Sequence, residues 1–477
     1  MTMLVRVSSW AVIMLALVCT RAVAGDRPNV LFIAVDDLNH WVGYLGRNPQ
    51  TATPNIDRLA GKGMHFTRSY CAAPVCNPSR AALLSGMRPS TTGVYENDDD
   101  WRSVIPEDKT LITTFRRAGY ATYGAGKVYH GSLDRRTEWD DYLEEPAPDP
   151  QPRGDKGVGG IRFAPLDCGD EALREWKIVQ YGIDTLAKEH GRPFFLSLGL
   201  HKPHMPWNVP RAYYERFPLE SITLPPYLDT DLADIPPAGL KMAKADGDHA
   251  EMLASGRWRE AIRAYLAAIA YTDAMIGRLL EALDASAYAS NTVIVLWGDH
   301  GWHLGEKHHW RKFALWEEAT RAPLIWVVPG MTRPGSACHR TVDFMTIYPT
   351  LTDVCGITTP GHVEGRSIRP LLENPEGEWH QPALTTHEFR NHAVRTEGFR
   401  YIRYENGDEE LYDETADPYE WKNLAADPHH AARKADLARW LPGADTRDIG
   451  TTRARARARS KKTPAAAGDT APATGDD

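Results

Sequence analysis

A continuous apolar run that stops at a pair of aspartates is the feature that most limits how this chain can fold. Residues 29–35 read Asn-Val-Leu-Phe-Ile-Ala-Val and end at Asp36-Asp37. An unbroken run without alternation is typical of a strand buried on both faces, as in a parallel sheet. Similar runs lie at 193–200, 291–297 and 323–328.

Helical patterns separate these runs. Apolar residues recur at helical spacing over 258–285, and a second helical pattern covers about 171–190. Strands that alternate with helices predict a doubly wound α/β sheet. We therefore expect the main domain to be of the α/β class, built on such a sheet.

The pattern changes near residue 384, where short strand-like runs replace long apolar ones. Asn406-Gly407 between two such runs predicts a hairpin. A small antiparallel subdomain with a closing helix near 429–440 is the expected structure. Low-complexity sequence follows and predicts a disordered tail. The expected division is a signal peptide, an α/β domain, an antiparallel subdomain and a tail, at 1–24, 25–375, 376–443 and 444–477.

The amino-terminal residues have the pattern of a secretory signal. An apolar run from Trp10 to Val18 precedes Ala22-Val23-Ala24, which has the small-x-small form of a cleavage site. Cys19 also permits a lipoprotein interpretation, although Val18 is bulky for a lipid-attachment site. No other segment has the length of about 18 apolar residues that a membrane span needs. We expect an exported protein, periplasmic or extracellular, with no membrane span.

Charge and composition exclude some partners. The net charge of −8 at pH 7 offers no general attraction for nucleic acid or anionic membranes. An anionic substrate would need a local cluster of cations. No Asn-x-Ser/Thr acceptor is present, since proline occupies the middle of Asn77-Pro78-Ser79. This favours a bacterial exported enzyme over a glycosylated lysosomal one.

The number of cysteines indicates that at least one of them is unpaired after removal of the signal. The chain has six cysteines, and removing the signal leaves five. An odd number in an oxidising compartment indicates either a stray thiol or a cysteine with special chemistry. The pairing of the others cannot be read from the sequence.

Acidic residues follow two of the predicted strands directly. Asp36-Asp37 follow the first, and Asp299-His300 follow the strand at 291–297. Ligands of open α/β sheets bind beyond the carboxyl ends of the strands. Mostly oxygen ligands suit Ca²⁺ or Mg²⁺. A metal site is predicted here, although an Asp-Asp pair alone could equally be a helix cap or a solvated turn.

The segment Cys76-Asn77-Pro78-Ser79-Arg80 resembles the recognition sequence Cys-x-Pro-Ser-Arg of the type I, formylglycine-dependent sulfatases. Other segments are similar to the iduronate-2-sulfatase branch of that family, among them Gly126–His130, His201–Pro206 and Trp310–Lys312. The resemblance covers essentially residues 27–425. It implies an alkaline-phosphatase-like fold and a sulfuric ester hydrolase.

The resemblance also implies cofactors and roles. A maturation enzyme would oxidise Cys76 to 3-oxoalanine (formylglycine), whose hydrate offers two geminal hydroxyls for covalent catalysis. One Ca²⁺ per subunit would be held by Asp36, Asp37, Cys76, Asp299 and His300. The other implied catalytic residues are Arg80, which orients the nucleophile, Lys127 and Lys312, which bind sulfate, His130, which takes a proton, and His204, which acts as leaving-group acid.

The expected substrate is a sulfated oligo- or polysaccharide, most simply a 2-O-sulfated uronic acid. Selectivity is expected from Asp98–Arg102 and the 205–257 insertion. The candidate substrate contacts are Trp101, Arg102, His201, Trp302, His308 and His309. Three alternatives stay open: a sulfatase for another sugar or a choline-type ester, a phosphonate or phosphodiester hydrolase of the same superfamily, and a non-catalytic binder of sulfated glycans.

Overall fold

The computed structural model describes residues 27–131, 136–152, 154 and 157–450. The predicted signal peptide lies outside the described residues, as does the predicted tail from residue 451 onward. Within the described part of the chain, no helix combines the length and apolar character that crossing a membrane requires.

An eight-stranded sheet forms the centre of the molecule. Its strands are β1 (Asn29–Val35), β2 (Met64–Tyr70), β3 (Ala121–Gly126), β4 (Asp141–Tyr142), β5 (Phe194–Leu200), β6 (Thr292–Gly298), β7 (Leu324–Val327) and β8 (Ser336–Asp343). Their order across the sheet is β8-β2-β7-β6-β1-β5-β3-β4. β1 pairs in parallel with β5 and β6, and β3 pairs in parallel with β5 and β4.

Both faces of this sheet are covered, as the unbroken apolar runs predict. Along β1, Leu31 and Ile33 face one apolar layer, and Val30 and Phe32 face the other. The longer helices are α1 (Pro54–Lys62), α2 (Cys76–Ser85), α3 (Leu111–Arg117), α4 (Arg174–Leu186), α5 (Trp258–Ala285) and α6 (Ile347–Val354). The α/β class and the doubly wound arrangement are confirmed.

One predicted strand runs in the unexpected direction. The run at 323–328 forms β7, which is antiparallel to both β6 and β2. Parallel pairing requires a crossover that returns the chain to the opposite end of the sheet. The chain instead stays beyond the carboxyl end of β6 over residues 299–323 and re-enters from that side. β2 and β8 were not predicted, because polar side chains interrupt their apolar pattern.

A four-stranded antiparallel sheet follows, as predicted. Its strands are β9 (Ala383–Thr386), β10 (His392–Arg395), β11 (Phe399–Arg403) and β12 (Glu409–Asp413). The β11–β12 hairpin turns at Gly407, which has a φ of 92°. The closing helix is α7 (Ala431–Ala438).

The described part of the chain continues its contacts beyond residue 443, the predicted end of the antiparallel subdomain. The amide of Thr446 donates to the carbonyl of Ser90 at 2.7 Å, and the amide of Ile449 donates to that of Gly93 at 3.1 Å. The carboxylate of Asp445 lies 3.2 Å from His392 Nε2. Residues 444–450 therefore pack against the body of the protein.

Shorter elements complete the structure. The remaining strands are Gly157–Val158, Ile161–Leu166, Trp207–Pro210, His303–Leu304 and Trp310–Arg311. The remaining α-helices are Pro89–Thr92, Arg211–Tyr214, Pro237–Ala243, Ala250–Ser255, Glu317–Thr320 and Arg369–Glu373.

Buried charges join the antiparallel sheet to the main domain. Arg400 is fully buried on β11 and pairs with Glu317, Glu414 and Glu420. Its Nη1 also donates to the carbonyl of Leu315 at 2.9 Å. Leu315 and Glu317 belong to the segment between β6 and β7, so this one guanidinium fixes the subdomain beneath that segment.

Replacing Arg400 with alanine should strongly destabilise the protein, because the buried carboxylates around it would lose their counter-charge. We expect the free energy of unfolding to fall by about 3–5 kcal/mol, measured by urea denaturation. Arg403→Ala on the same strand is the control. That side chain is 45% exposed and 4.0 Å from Glu409, so its loss should cost less than about 1 kcal/mol. Equal effects of the two substitutions would contradict this interpretation.

Candidate active site

The candidate site lies beyond the carboxyl ends of β1 and β6. Asp36 and Asp37 follow β1, Asp299 and His300 follow β6, and all four side chains are fully buried. Because β1 and β6 are parallel neighbours, the two pairs meet at the same edge of the sheet. The amide of Asp37 donates to Asp299 Oδ1 at 3.0 Å, which links them directly.

The turn after β1 depends on a tyrosine of the long helix α5. Asp37 has a φ of 57°, an unfavourable conformation for a residue with a side chain. The hydroxyl of Tyr265 donates to the carbonyl of Asp37 at 2.7 Å and accepts from the amide of Asn39 at 3.0 Å. These two bonds hold the turn in the geometry that presents the Asp37 carboxylate.

Cys76 begins α2, and Pro78 occupies its first turn, as the motif predicts. The side-chain amide of Asn77 donates to the carbonyl of Asp99 at 2.7 Å, and the Ser79 hydroxyl donates to the carbonyl of Asp299 at 2.5 Å. These bonds tie the start of the helix to the adjacent loop and to the end of β6. Cys76 is thereby held over the aspartates.

Four side chains fit a metal ion. Asp36, Asp37, Cys76 and His300 each offer one ligand atom, and these atoms lie within 4.8 Å of one another. Asp37 Oδ2 is buried without a hydrogen-bond partner. His300 Nδ1 lies 3.0 Å from the carbonyl of Gly301, so it carries the proton and leaves Nε2 free as a ligand. Buried carboxylates with an unsatisfied oxygen suit a divalent cation.

Asp299 lies beside this group but outside it. Its Oδ1 accepts from the amide of Asp37, and its Oδ2 accepts from Arg80 Nε at 2.9 Å. Oδ1 is 3.6 Å from His300 Nε2. Asp299 stays a proposed ligand, and in this structure its carboxylate orients Arg80.

Two lysines reach the same centre from opposite directions. Lys127, after β3, places Nζ 2.5 Å from Asp36 Oδ2. Lys312, from the segment between β6 and β7, places Nζ 2.9 Å from both Asp37 Oδ1 and Cys76 Sγ. Both ammonium groups therefore lie beside the same two carboxylates.

Opposing charges set the ionisation of the site. Although burial raises the pKa of Asp36, Lys127, His204 and Arg80 hold it well below its usual value. Burial and the neighbouring Asp36 raise the pKa of Asp37 to about 7, even though Lys312 opposes them. One carboxylate is thus firmly ionised, whereas the other needs a further cation to become so.

The same charged groups shift the pKa of Cys76, the candidate nucleophile. Burial raises the pKa of the Cys76 thiol, as does Asp36, but Lys127, Lys312 and His300 bring it below its usual value. The centre therefore favours negative charge at the position of the sulfur.

Two histidines near the lysines are kept neutral. Burial and Lys127 lower the pKa of His130 to about 3. Burial also lowers the pKa of His204, whose Nε2 lies 3.8 Å from Asp37 Oδ2. Both imidazoles are therefore uncharged at neutral pH.

Comparison with known proteins gives one consistent result. The family model described as sulfatase matches residues 28–357. The chain belongs to the sulfatase family. A second family model, for the carboxyl-terminal part of N-sulphoglucosamine sulphohydrolase, matches residues 305–445.

Individual relatives agree with this assignment. A sulfatase of Formosa agariphila is 39% identical over 429 residues, which cover 84% of this chain and 83% of that protein. Human iduronate 2-sulfatase is 30% identical, with 70% of each chain covered. A likeness in fold alone links the chain to the structure of a phosphonate monoester hydrolase from Agrobacterium radiobacter, with a TM-score of 0.73 and 22% identity over 90% of this chain and 96% of that one.

Three of the residues predicted to contact substrate are buried, and their contact with substrate stays a prediction. Trp101 stacks on Tyr129 at 4.7 Å, and the ring of Trp302 lies 5.5 Å from Lys312 Nζ. His309 lies behind Lys312, with both ring nitrogens near backbone carbonyls. These side chains support the site from below, because a large aromatic ring gains most from burial.

The remaining predicted substrate contacts have some solvent exposure. Arg102 lies 3.3 Å from Asp100, and its side chain is 39% exposed. His201 lies 3.8 Å from Glu175. His308 stacks on Tyr227 at 4.9 Å. Their contact with substrate stays a prediction.

Sequence reasoning missed the residues that hold the site in place. Asn77 and Ser79 were visible within the motif but had no assigned role. Tyr265 is hidden among apolar residues of α5, and nothing in its pattern signals contact with Asp37.

Tyr265→Phe should weaken metal binding, because the turn that presents Asp37 loses both bonds to the hydroxyl. Loss of such outer support typically costs about 10–100-fold in metal affinity. Calcium titration of the metal-free protein by calorimetry measures the change. Tyr271→Phe on the same helix is the control, since its hydroxyl contacts only the distant carbonyl of Asp170 at 3.4 Å. Unchanged affinity in Tyr265→Phe would exclude the supporting role.

Proposed function

We propose that this sulfatase removes sulfate from a sulfated glycan, most simply from a 2-O-sulfated uronic acid, by means of a formylglycine made from Cys76. The observation that carries the proposal is the placement of Cys76 between two buried aspartates and two lysines. Lys312 Nζ lies 2.9 Å from the sulfur, and His300 Nε2 lies 3.3 Å from it. In the mature enzyme this sulfur position would belong to a formylglycine oxygen.

Formylglycine, when hydrated, supplies one hydroxyl for attack on sulfur and a second for expulsion of sulfate. A Ca²⁺ ion held by Asp36, Asp37, Asp299, His300 and the formylglycine would neutralise charge at that hydroxyl. Arg80 binds both acidic partners from behind, at 2.9 Å from Asp299 and 3.4 Å from Asp36. Arg80 therefore fixes the ligands without facing the substrate.

The other residues of the chain bind sulfate and move protons. Lys127 and Lys312 attract the anionic ester, which the negative overall charge would otherwise repel. Although burial lowers the pKa of Lys312, Asp37 and Cys76 raise it above its usual value, so the ammonium stays charged and can bind sulfate. Protonation of the leaving oxygen is the second role that we propose for Lys312. His130 Nδ1 is buried without a hydrogen-bond partner, and this atom is our candidate to take the proton that is lost when sulfate departs. His204 lies close enough to contact a sulfate oxygen.

The substrate class is inferred from the relatives and from the charges. Human iduronate 2-sulfatase is 30% identical, so a sulfated uronic acid is the first substrate to test. Arg102 is our candidate for the sugar carboxylate, since its guanidinium is partly exposed near the site. An exported bacterial protein with a maturation enzyme is the setting in which such an activity is expected.

A second candidate function is hydrolysis of a phosphonate monoester. The likeness in fold to the phosphonate monoester hydrolase of Agrobacterium radiobacter favours its inclusion. Matched sulfate and phosphonate esters of one alcohol would separate the two activities, with released sulfate or alcohol measured by chromatography.

Mass spectrometry tests the nucleophile. Protein made with a maturation enzyme should yield a peptide in which Cys76 is about 18 Da lighter, the change from thiol to aldehyde that the covalent mechanism needs. Cys76→Ala should abolish turnover and leave the fold intact, as judged by circular dichroism. Cys71→Ala is a matched control, because that buried cysteine lies outside the metal group. Full activity with unmodified Cys76 would refute the assignment.

Substrate preference tests the glycan assignment. A disaccharide with a 2-O-sulfated uronic acid at its non-reducing end should be cleaved with a kcat/KM roughly ten- to hundredfold above that of an aryl sulfate. This is the value of one charge-assisted contact to the carboxylate. Arg102→Ala should reduce the preference without changing kcat/KM for the aryl sulfate. If the aryl sulfate is cleaved as well as the disaccharide, only the general sulfatase activity remains.

A further inference from the structure

The segment that carries Lys312 has a strained backbone. Residues 303–313, which we call the lysine strap, include four non-glycine residues with positive φ: Lys307 at 56°, His308 at 51°, Arg311 at 73° and Phe313 at 69°. Such conformations persist only where the surroundings enforce them, and they are common at functional sites. Lys312 lies between two of these residues, so its position depends on what holds the strap.

Three anchors of the strap come from one part of the chain. Lys307 pairs with Asp231 at 2.7 Å, and Arg311 pairs with Asp248 at 2.7 Å. His309 contacts the carbonyl of Ala243 at 2.7 Å. All three partners belong to the 205–257 insertion, which was expected to provide substrate selectivity. Whatever its part in selectivity, the insertion holds the strap at these three points.

His309 differs from the other anchors because both of its ring nitrogens contact carbonyl oxygens. Its Nδ1 lies 2.7 Å from the carbonyl oxygen of Ala243, and its Nε2 lies 2.6 Å from that of Lys312. A carbonyl oxygen can only accept a hydrogen bond, whereas a neutral imidazole has one N–H to donate. Both contacts are hydrogen bonds only when both nitrogens carry protons. The side chain is buried, so no solvent can substitute for a missing donor.

We propose that His309 is a positioning residue that holds Lys312 in place as an imidazolium, with one hydrogen bond to the carbonyl of Lys312 and one to that of Ala243. The proposal rests on the function proposed above for Lys312. Loss of one ring proton sets a lone pair against a carbonyl oxygen and breaks one bond. The strap keeps its ion pairs to the insertion, but the carbonyl of Lys312 is no longer joined through His309 to that of Ala243, and Lys312 is held less firmly.

The environment of His309 indicates the pH range of this effect. Burial lowers the pKa of His309, whereas the carbonyls of Lys312 and Ala243 raise it and leave it below its ordinary value. The titratable and charged groups that face it are His249, His303, His387, Lys244, Asp248 and Lys312. The positioning bonds are complete below the pKa of His309 and are lost as pH rises through it. Lys312 should therefore be best placed in acid solution.

Two measurements test the proposal. The first uses the full-length mature enzyme with nitrogen-15-labelled histidine and follows the ring nitrogens of His309 by NMR as pH changes. Both should be protonated in acid, and one should lose its proton at higher pH. The second compares His309→Gln with the wild type in kcat and KM over the same range.

His309→Gln should lower kcat roughly ten- to hundredfold in acid, the loss of one charge-assisted bond, and change KM much less. Its kcat should no longer fall through the pH at which His309 titrates in the wild type. His362→Gln is the matched control, because that histidine donates to one carbonyl, of Lys109 at 2.9 Å, away from the strap.

A singly protonated His309 ring throughout the pH range of activity would overturn the proposal, as would wild-type kcat in His309→Gln. The proposed sulfatase function and the proposed role of His309 are tested by different measurements. Absence of sulfate release by the wild-type enzyme would refute the proposed function, whereas the NMR titration reports on His309 without any need for turnover.

Discussion

The burial of several carboxylates close together is the constraint on which the rest of this structure depends. Asp36, Asp37 and Asp299 are fully buried within a few ångströms of one another. Buried carboxylates are tolerated only with counter-charges and hydrogen bonds. Arg80 from α2 and lysines from β3 and the strap meet that need, and each comes from a different part of the chain. The order of elements around the sheet brings these cations to one edge.

Much of the fold follows from apolar pattern alone. Strands buried on both faces, such as β1 and β6, have unbroken apolar runs that can be recognised in the sequence. The helix α5 spans the residues predicted for it. β2 has no such unbroken apolar run, because half-buried polar side chains separate its buried ones. The direction of β7 also escaped prediction, since a strand's own residues do not say from which end the chain enters it.

In the candidate site, residues within short sequence motifs could be predicted, whereas residues that depend on distant partners could not. Residues in short motifs, such as Cys76 and Lys127, were found because their chemistry and spacing are recorded locally in the sequence. Tyr265 was missed, and the contact of His309 with Ala243 could not be foreseen, because these contacts join residues 228 and 66 positions apart. His309 was predicted as a substrate contact from its place beside Lys312 in sequence, and the structure adds its contact with the insertion.

The burial of α2 has a consequence for the order of events during synthesis. Every residue from Cys76 to Ser85 is inaccessible in the folded protein. A modifying enzyme that converted Cys76, as we propose, would have to reach this segment before β6 and the strap close over it. Those elements come more than 200 residues later in the sequence. Slow elongation or delayed release of the distal half would therefore lengthen the interval in which Cys76 can be converted, and rapid folding would shorten it.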